Sequence, residues 1–168
     1  MKTISSTVQF LLITLMLLVG VTDVLAEDGS EAPPITLDVK AGTLRNLIPE
    51  SKKYKITNLK LTGKLNADDI MLIREMGGCP KLSSSRDEIS YYDGNLQHLD
   101  ISNVEFVYSG KIELFSESTN RRINYDFVGW TSKDELFSAM KKLQTIKLPN
   151  DLVSLGEMYL ANCSNLVS

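Results

Sequence analysis

A single histidine, His98, and two cysteines, Cys79 and Cys163, are the chain's whole supply of the side chains that most often hold zinc. Their scatter does not make zinc spacing, so no metal site is expected. Two cysteines are too few for a disulfide scaffold. Two buried free thiols are expected, with a Cys79–Cys163 bond as the alternative. The glycine loops of phosphate and dinucleotide sites are missing, as is an Asp-x-Asp-x-Asp calcium loop, so no cofactor is expected. No serine stands in a Gly-x-Ser-x-Gly setting. Positive charge is not concentrated: 18 lysines and arginines face 21 acidic residues, for a net charge of -3. That excludes a nucleic-acid stripe and a polybasic membrane patch. Beyond residue 26 no apolar run is long enough to cross a bilayer.

The apolar run that does occur is at the start. Phe10 to Val19 follows a single lysine and precedes Val24-Leu25-Ala26. This reads as a secretory signal peptide over residues 1–26, cleaved after Ala26, with an uncleaved anchor as the alternative. The protein is therefore expected to be exported: secreted, periplasmic or on the outer cell surface. Residues 27–34, ending in Pro33-Pro34, form a flexible leader.

The remaining residues suit one domain of mixed α/β class. Ile35 to Val39 alternates as a half-buried strand, and Leu44 to Ile48 reads as a short helix before Pro49. Tyr54 to Leu61 reads as a second strand. Asn66, with Asp69 three residues on, caps a helix carrying Ile70, Ile73 and Met76, stopped by Gly77-Gly78. Lys81 to Asp93 is loop. Val104 to Tyr108 and Lys111 to Phe115 suggest a hairpin around Ser109-Gly110, followed by a polar loop from Ser116 to Arg122. Ser132 and Glu135 suggest a capped helix with Leu136, Met140 and Leu143 on its inner face. The working division is residues 35–102 as an N-terminal cap with repeat-like strands, 103–130 as an irregular aromatic-rich segment, and 131–168 as a helix with an incomplete repeat.

Three segments share one spelling: Ile56-Thr-Asn-Leu-Lys-Leu61, Leu96-Gln-His-Leu-Asp-Ile101 and Leu143-Gln-Thr-Ile-Lys-Leu148. Leu166-Val-Ser168 opens it again. The return from Leu143 to Leu166 lies within the period of leucine-rich repeats. In each copy the last two apolar residues point one way and the residue between them points the other. Leu155 and Leu160 supply apolar filling, Cys163 fits a tight buried bend, and Asn162 and Asn165 can bond turning backbone.

Leu148-Pro149, Val153-Ser-Leu155-Gly156 and Tyr159-Leu-Ala-Asn-Cys163 together resemble the BspA-type leucine-rich repeats of Bacteroidetes cell-surface proteins. Ala41 to Gly78 resembles the N-terminal cap that precedes such repeats. The resemblance implies a short leucine-rich-repeat solenoid with a mixed helix and strand cap. It also implies a structural set of Leu143, Ile146, Leu148, Leu155, Leu160, Cys163 and Leu166. Family members carry many repeats, whereas this chain has about one regular copy. Either the partial repeat frays, or its edge pairs with another chain; a truncated fragment also accounts for the length.

The outward residues of the repeated strands are Asn58, Lys60, His98, Asp100, Thr145 and Lys147. They define a candidate binding face for an extracellular protein or glycan, with adhesin-like function and no catalysis. Two alternatives stand beside it: a structural or capping remnant of a longer repeat protein, and a hydrolase using His98 with Asp100. Asn162-Cys-Ser164 matches a glycosylation sequon but is expected in a buried turn. The aromatics from Tyr91 to Trp130 are expected to build a local core, with exposed contact residues as the alternative.

Overall fold

The computed structural model describes residues 33–84, 87–127, 135–150, 152, 155–156 and 158–167. The signal peptide, most of the leader, Trp130, Ser132, Val153 and Ser168 lie outside the described residues.

Alternation of apolar side chains produces six strands: β1 (Ile35–Val39), β2 (Asn58–Leu65), β3 (His98–Phe106), β4 (Lys111–Ser116), β5 (Arg121–Asp126) and β6 (Thr145–Lys147). Two helices, α1 (Leu44–Leu47) and α2 (Ala67–Met76), lie between the early strands. The strands form a four-stranded parallel sheet in the order β1-β2-β3-β6 and a two-stranded antiparallel sheet, β4-β5. Each new parallel strand therefore joins the same growing edge.

The shared spelling sets the register. Leu59 pairs with Leu99, and Leu99 with Ile146; Lys60 pairs with Asp100, and Asp100 with Lys147. β1 is a fourth copy that its spelling hid. Ile35 pairs with Leu59, and Leu37 with Leu61, so one repeat length separates β1 from β2. Backbone bonds run through the second position of every later copy: Gln97 N donates to Thr57 O, Gln144 N to Gln97 O, and Val167 N to Gln144 O at 2.9 Å. Val167 thus stands beside Gln144 as Gln144 stands beside Gln97.

Four expectations are corrected. β2 starts at Asn58, not Tyr54, because residues 51–55 are turn. Val104 to Phe106 belongs to β3 rather than to a hairpin. The apparent break in alternation is a bulge, where Ser102 is the extra residue and Thr62 pairs with Asn103. The bulge keeps Ile101, Val104 and Phe106 all inward and buried. The true hairpin joins Lys111–Ser116 to Arg121–Asp126, so the polar loop from Ser116 to Arg122 shrinks to residues 117–120.

The fourth correction concerns the helix read from Ser132 to Leu143. Its described part is turn, with Glu135 and Ala139 at φ 75 and 55. Met158 and Asn162, one repeat length further on, return to the same left-handed region at φ 55 and 59. Residues 135–143 are therefore an earlier copy of the bend at 158–166. The spacing of Leu136, Met140 and Leu143 is also that of Tyr159, Cys163 and Leu166, and it imitates a helical face. The two bends stack: Phe137 N donates to Tyr159 O, Ala139 N to Ala161 O, and Cys163 Sγ to Phe137 O. Buried Arg74 on α2 holds the first bend, donating from Nη1 to the carbonyls of Glu135 and Leu136 at 2.9 and 2.8 Å.

α2 follows its sequence closely. Asn66 Oδ1 accepts from the amides of Asp68 and Asp69, and Asp69 Oδ2 accepts from Asn66 N, a complete capping box. Its buried Ile70, Leu72, Ile73 and Met76 join one core with Leu59, Leu61, Leu99, Ile101 and Leu143. Ile146, Leu148, Leu160, Cys163 and Leu166 are partly buried against that core. Leu155 is not: it is 51% exposed. The aromatics pack locally, with Phe127 against Phe106 and Tyr108, and Phe137 against Tyr159.

Both cysteines are free; Cys79 is buried and Cys163 half-buried, less enclosed than expected. Burial pushes the Cys79 thiol up to about 11 and raises Cys163 as well. A serine at 163 keeps a donor for Phe137 O and part of its hydration. Cys163→Ser is therefore expected to cost no more than about 1 kcal/mol in a denaturant titration.

Candidate functional site

Pleating sends the residues between the inward leucines to the opposite face of the parallel sheet. The six sequence-derived residues fall there in two rows across the strands. Asn58, His98 and Thr145 form one; Lys60, Asp100 and Lys147 form the other. Thr36 of β1 extends the second row beside Lys60, and Asp38 pairs with Thr62 in the next.

The rows are tied together by their own side chains. His98 Nδ1 lies 2.9 Å from Thr145 Oγ1. Lys60 Nζ lies 3.5 Å from Asp100 Oδ2. Asp100 Oδ1 accepts from Ser102 N at 3.1 Å and Ser102 Oγ at 2.6 Å, so the bulge residue anchors the carboxylate. Further along, Lys64 pairs with Glu105 at 3.1 Å, and Thr62 Oγ1 donates to Asp38. Lys147 is exposed; Lys60, His98, Asp100 and Thr145 are half-buried. Asn58 is an exception: it is only 7% exposed and does not display its amide to solvent.

The polar side chains of the two rows are engaged with one another. Asp100 and His98 stand in successive rows, with the carboxylate engaged by Ser102 and Lys60 and the imidazole by Thr145. Burial acts to raise the Asp100 pKa. The two Ser102 bonds and the charges of Lys60 and Lys147 outweigh it and hold the carboxyl below its ordinary value. A depressed carboxyl pKa adds stability above the ordinary range near 4, and that stability is lost as pH falls through the folded-state value. Asp100→Asn is thus expected to cost about 1 kcal/mol at pH 7 and close to nothing near pH 2. Denaturant midpoints of both proteins at the two pH values check this.

The sequence pointed to the six residues through their place between apolar neighbours. It missed Thr36, Asp38, Thr62, Asn103, Lys64 and Glu105 on the same face. The return of Ile35-x-Leu37 as Leu59-x-Leu61, one repeat length on, was the available signal for the first two. The two rows beyond Asp100 were hidden by the bulge. The sequon residue Asn162 is exposed rather than buried.

Among the described residues no group of histidine, cysteine or acidic side chains is placed to hold a metal. Among them, too, no helix is long and apolar enough to cross a membrane. Compared with known protein families, with characterised proteins and with solved structures, the chain matches none.

Proposed function

We propose that this is an exported, adhesin-like binding module of leucine-rich-repeat type, related to the BspA-like surface proteins, which recognises an extracellular protein or glycan without catalysis. The observation that carries the reading is the register. Three adjacent strands, β2, β3 and β6, bring Lys60, His98, Asp100, Thr145 and Lys147 into two adjoining rows over one continuous core. Stacked coils commonly use such a sheet for binding. A flat surface of mixed charge suits complementarity with another surface and excludes water poorly from a reaction. The signal-peptide reading of residues 1–26 supports an extracellular partner.

The test is binding of the exported protein to arrays of glycans and extracellular-matrix proteins. Saturable binding to a restricted set is expected, with no chemical change in the bound material. Hydrolysis of an arrayed ligand, abolished by His98→Ala, sinks the binding-only reading.

A further inference from the structure

The charges on the outward face of the parallel sheet do not all cancel where they stand. Lys60 pairs with Asp100 at 3.5 Å, and Lys64 with Glu105 at 3.1 Å. Asp38 on β1 and Lys147 on β6 have no ion pair among the described residues, and both are exposed. Asp38 Oδ1 accepts from Thr62 Oγ1 at 3.0 Å, and Oδ2 has no hydrogen bond among the described residues. Lys147 stands beside Asp100, whose carboxylate is already engaged by Ser102 and Lys60. β1 and β6 are the outer strands of the sheet. A residual negative charge therefore lies toward one margin of the face and a residual positive charge toward the other. Three strand spacings and one row put them roughly 15 Å apart.

The outward residues of β1, β2, β3 and β6 include no tyrosine, tryptophan or phenylalanine. A sugar ring thus has no aromatic side chain to stack on here, although apolar and aromatic lining is what usually holds a small ring.

We infer that the partner on this face is a protein, docked with a basic side chain over Asp38 and an acidic one over Lys147. The inference rests on the binding reading above and narrows it. Glycan hydroxyls are neutral, and the common charged groups of glycans are carboxylates and sulfates, all of one sign. Such a ligand complements Lys147 and is repelled by Asp38. A protein surface supplies both signs at a fixed separation. An arginine suits Asp38 best, because a guanidinium can bond the open Oδ2 with charge assistance. Opposite signs at the two margins also set direction: a partner turned end for end brings like charges together at both. The pairs between the margins are already held by their own bonds, so docking orders few further side chains.

The test uses the exported protein and whatever it binds on the matrix-protein array. Stripping the bound protein of its glycans with glycosidases should leave affinity unchanged. Asp38→Asn keeps an acceptor for Thr62 and removes only the charge. It should weaken binding about tenfold and reduce its salt dependence. Lys147→Glu should weaken binding at least as much. Both sites are exposed, so each variant should keep the parent's circular dichroism spectrum and melting point. Lys111→Glu, exposed on β4 away from this face, should bind as the parent does. Binding confined to the glycan array, or lost with the glycans, overturns the inference and leaves the binding reading standing. Parental affinity in Asp38→Asn also overturns it. Absence of saturable binding to either array removes the binding reading itself, and this inference with it.

Discussion

Asp69→Ala is expected to lower stability by about 3–5 kcal/mol, among the largest losses any single side-chain truncation will produce here. Asp69 is 1% exposed, and its carboxylate accepts three backbone amides. Oδ2 takes Gly42 N at 2.7 Å and Asn66 N at 3.0 Å, and Oδ1 takes Leu44 N at 2.9 Å. One side chain thus closes the capping box of α2 and ties down the turn that leads from β1 into α1. Alanine leaves three amides to be resolvated or orphaned, two of them far away in sequence. Urea titration of both proteins measures the loss. A cost under about 1 kcal/mol, the ordinary value of a cap, contradicts a role beyond the helix end.

Gly94→Ala is expected to be comparably damaging, at more than about 3 kcal/mol. A Cβ on Gly94 meets the Met76 carbonyl and Glu75 O, all backbone and all well inside contact distance. Neither strand nor helix end can yield without moving the other, because Leu96 N donates to Met76 O at 2.9 Å beside this contact. The contact sets where the chain enters β3, and hence the rows of side chains on the outward face of the sheet. The melting temperature should fall by roughly 6–12 °C for a domain of this size. Gly77→Ala is the informative contrast. Its Cβ meets only the Met140 side chain: the flexible Cε can move aside, and Cβ and Cγ at 3.0 Å need give by only a few tenths of an ångström, so the loss should be smaller.

How much of this was legible before the structure depended on the kind of signal. The α2 capping box and the stop at Gly77-Gly78 are local chemistry, and they appear as read. The three repeated segments gave the residues that share the face opposite the core, because the period of two fixes which side chains alternate with the buried ones. The failures share a cause. Leu136, Met140 and Leu143 have a spacing that serves a helix or a repeat bend equally well. Only the left-handed backbone at Glu135 and Ala139 separates the two, and neither residue type announces it. The Ser102 bulge broke the alternation that marks a strand, so β3 was cut short and two rows of the face were lost. Asn58 shows the limit of parity arguments: its position was right, and its burial was set by surroundings that parity does not describe. Asp69's reach to Gly42 and Leu44 and the grip of Arg74 on the first bend are long-range contacts with no local signature.

Central to the functional account is the outward row of the parallel sheet as the surface that meets the partner. Its most direct test is the Lys60→Glu/Lys147→Glu double variant, compared with the parent protein on the same glycan and matrix-protein arrays. Lys147 is exposed and Lys60 half-buried beside Asp100, so the fold should lose only about 1–2 kcal/mol. Affinity for the bound set should fall at least tenfold, and most of the salt dependence of binding should go with it. Unchanged affinity in a double variant that folds as the parent does contradicts the account and takes this face out of the interface.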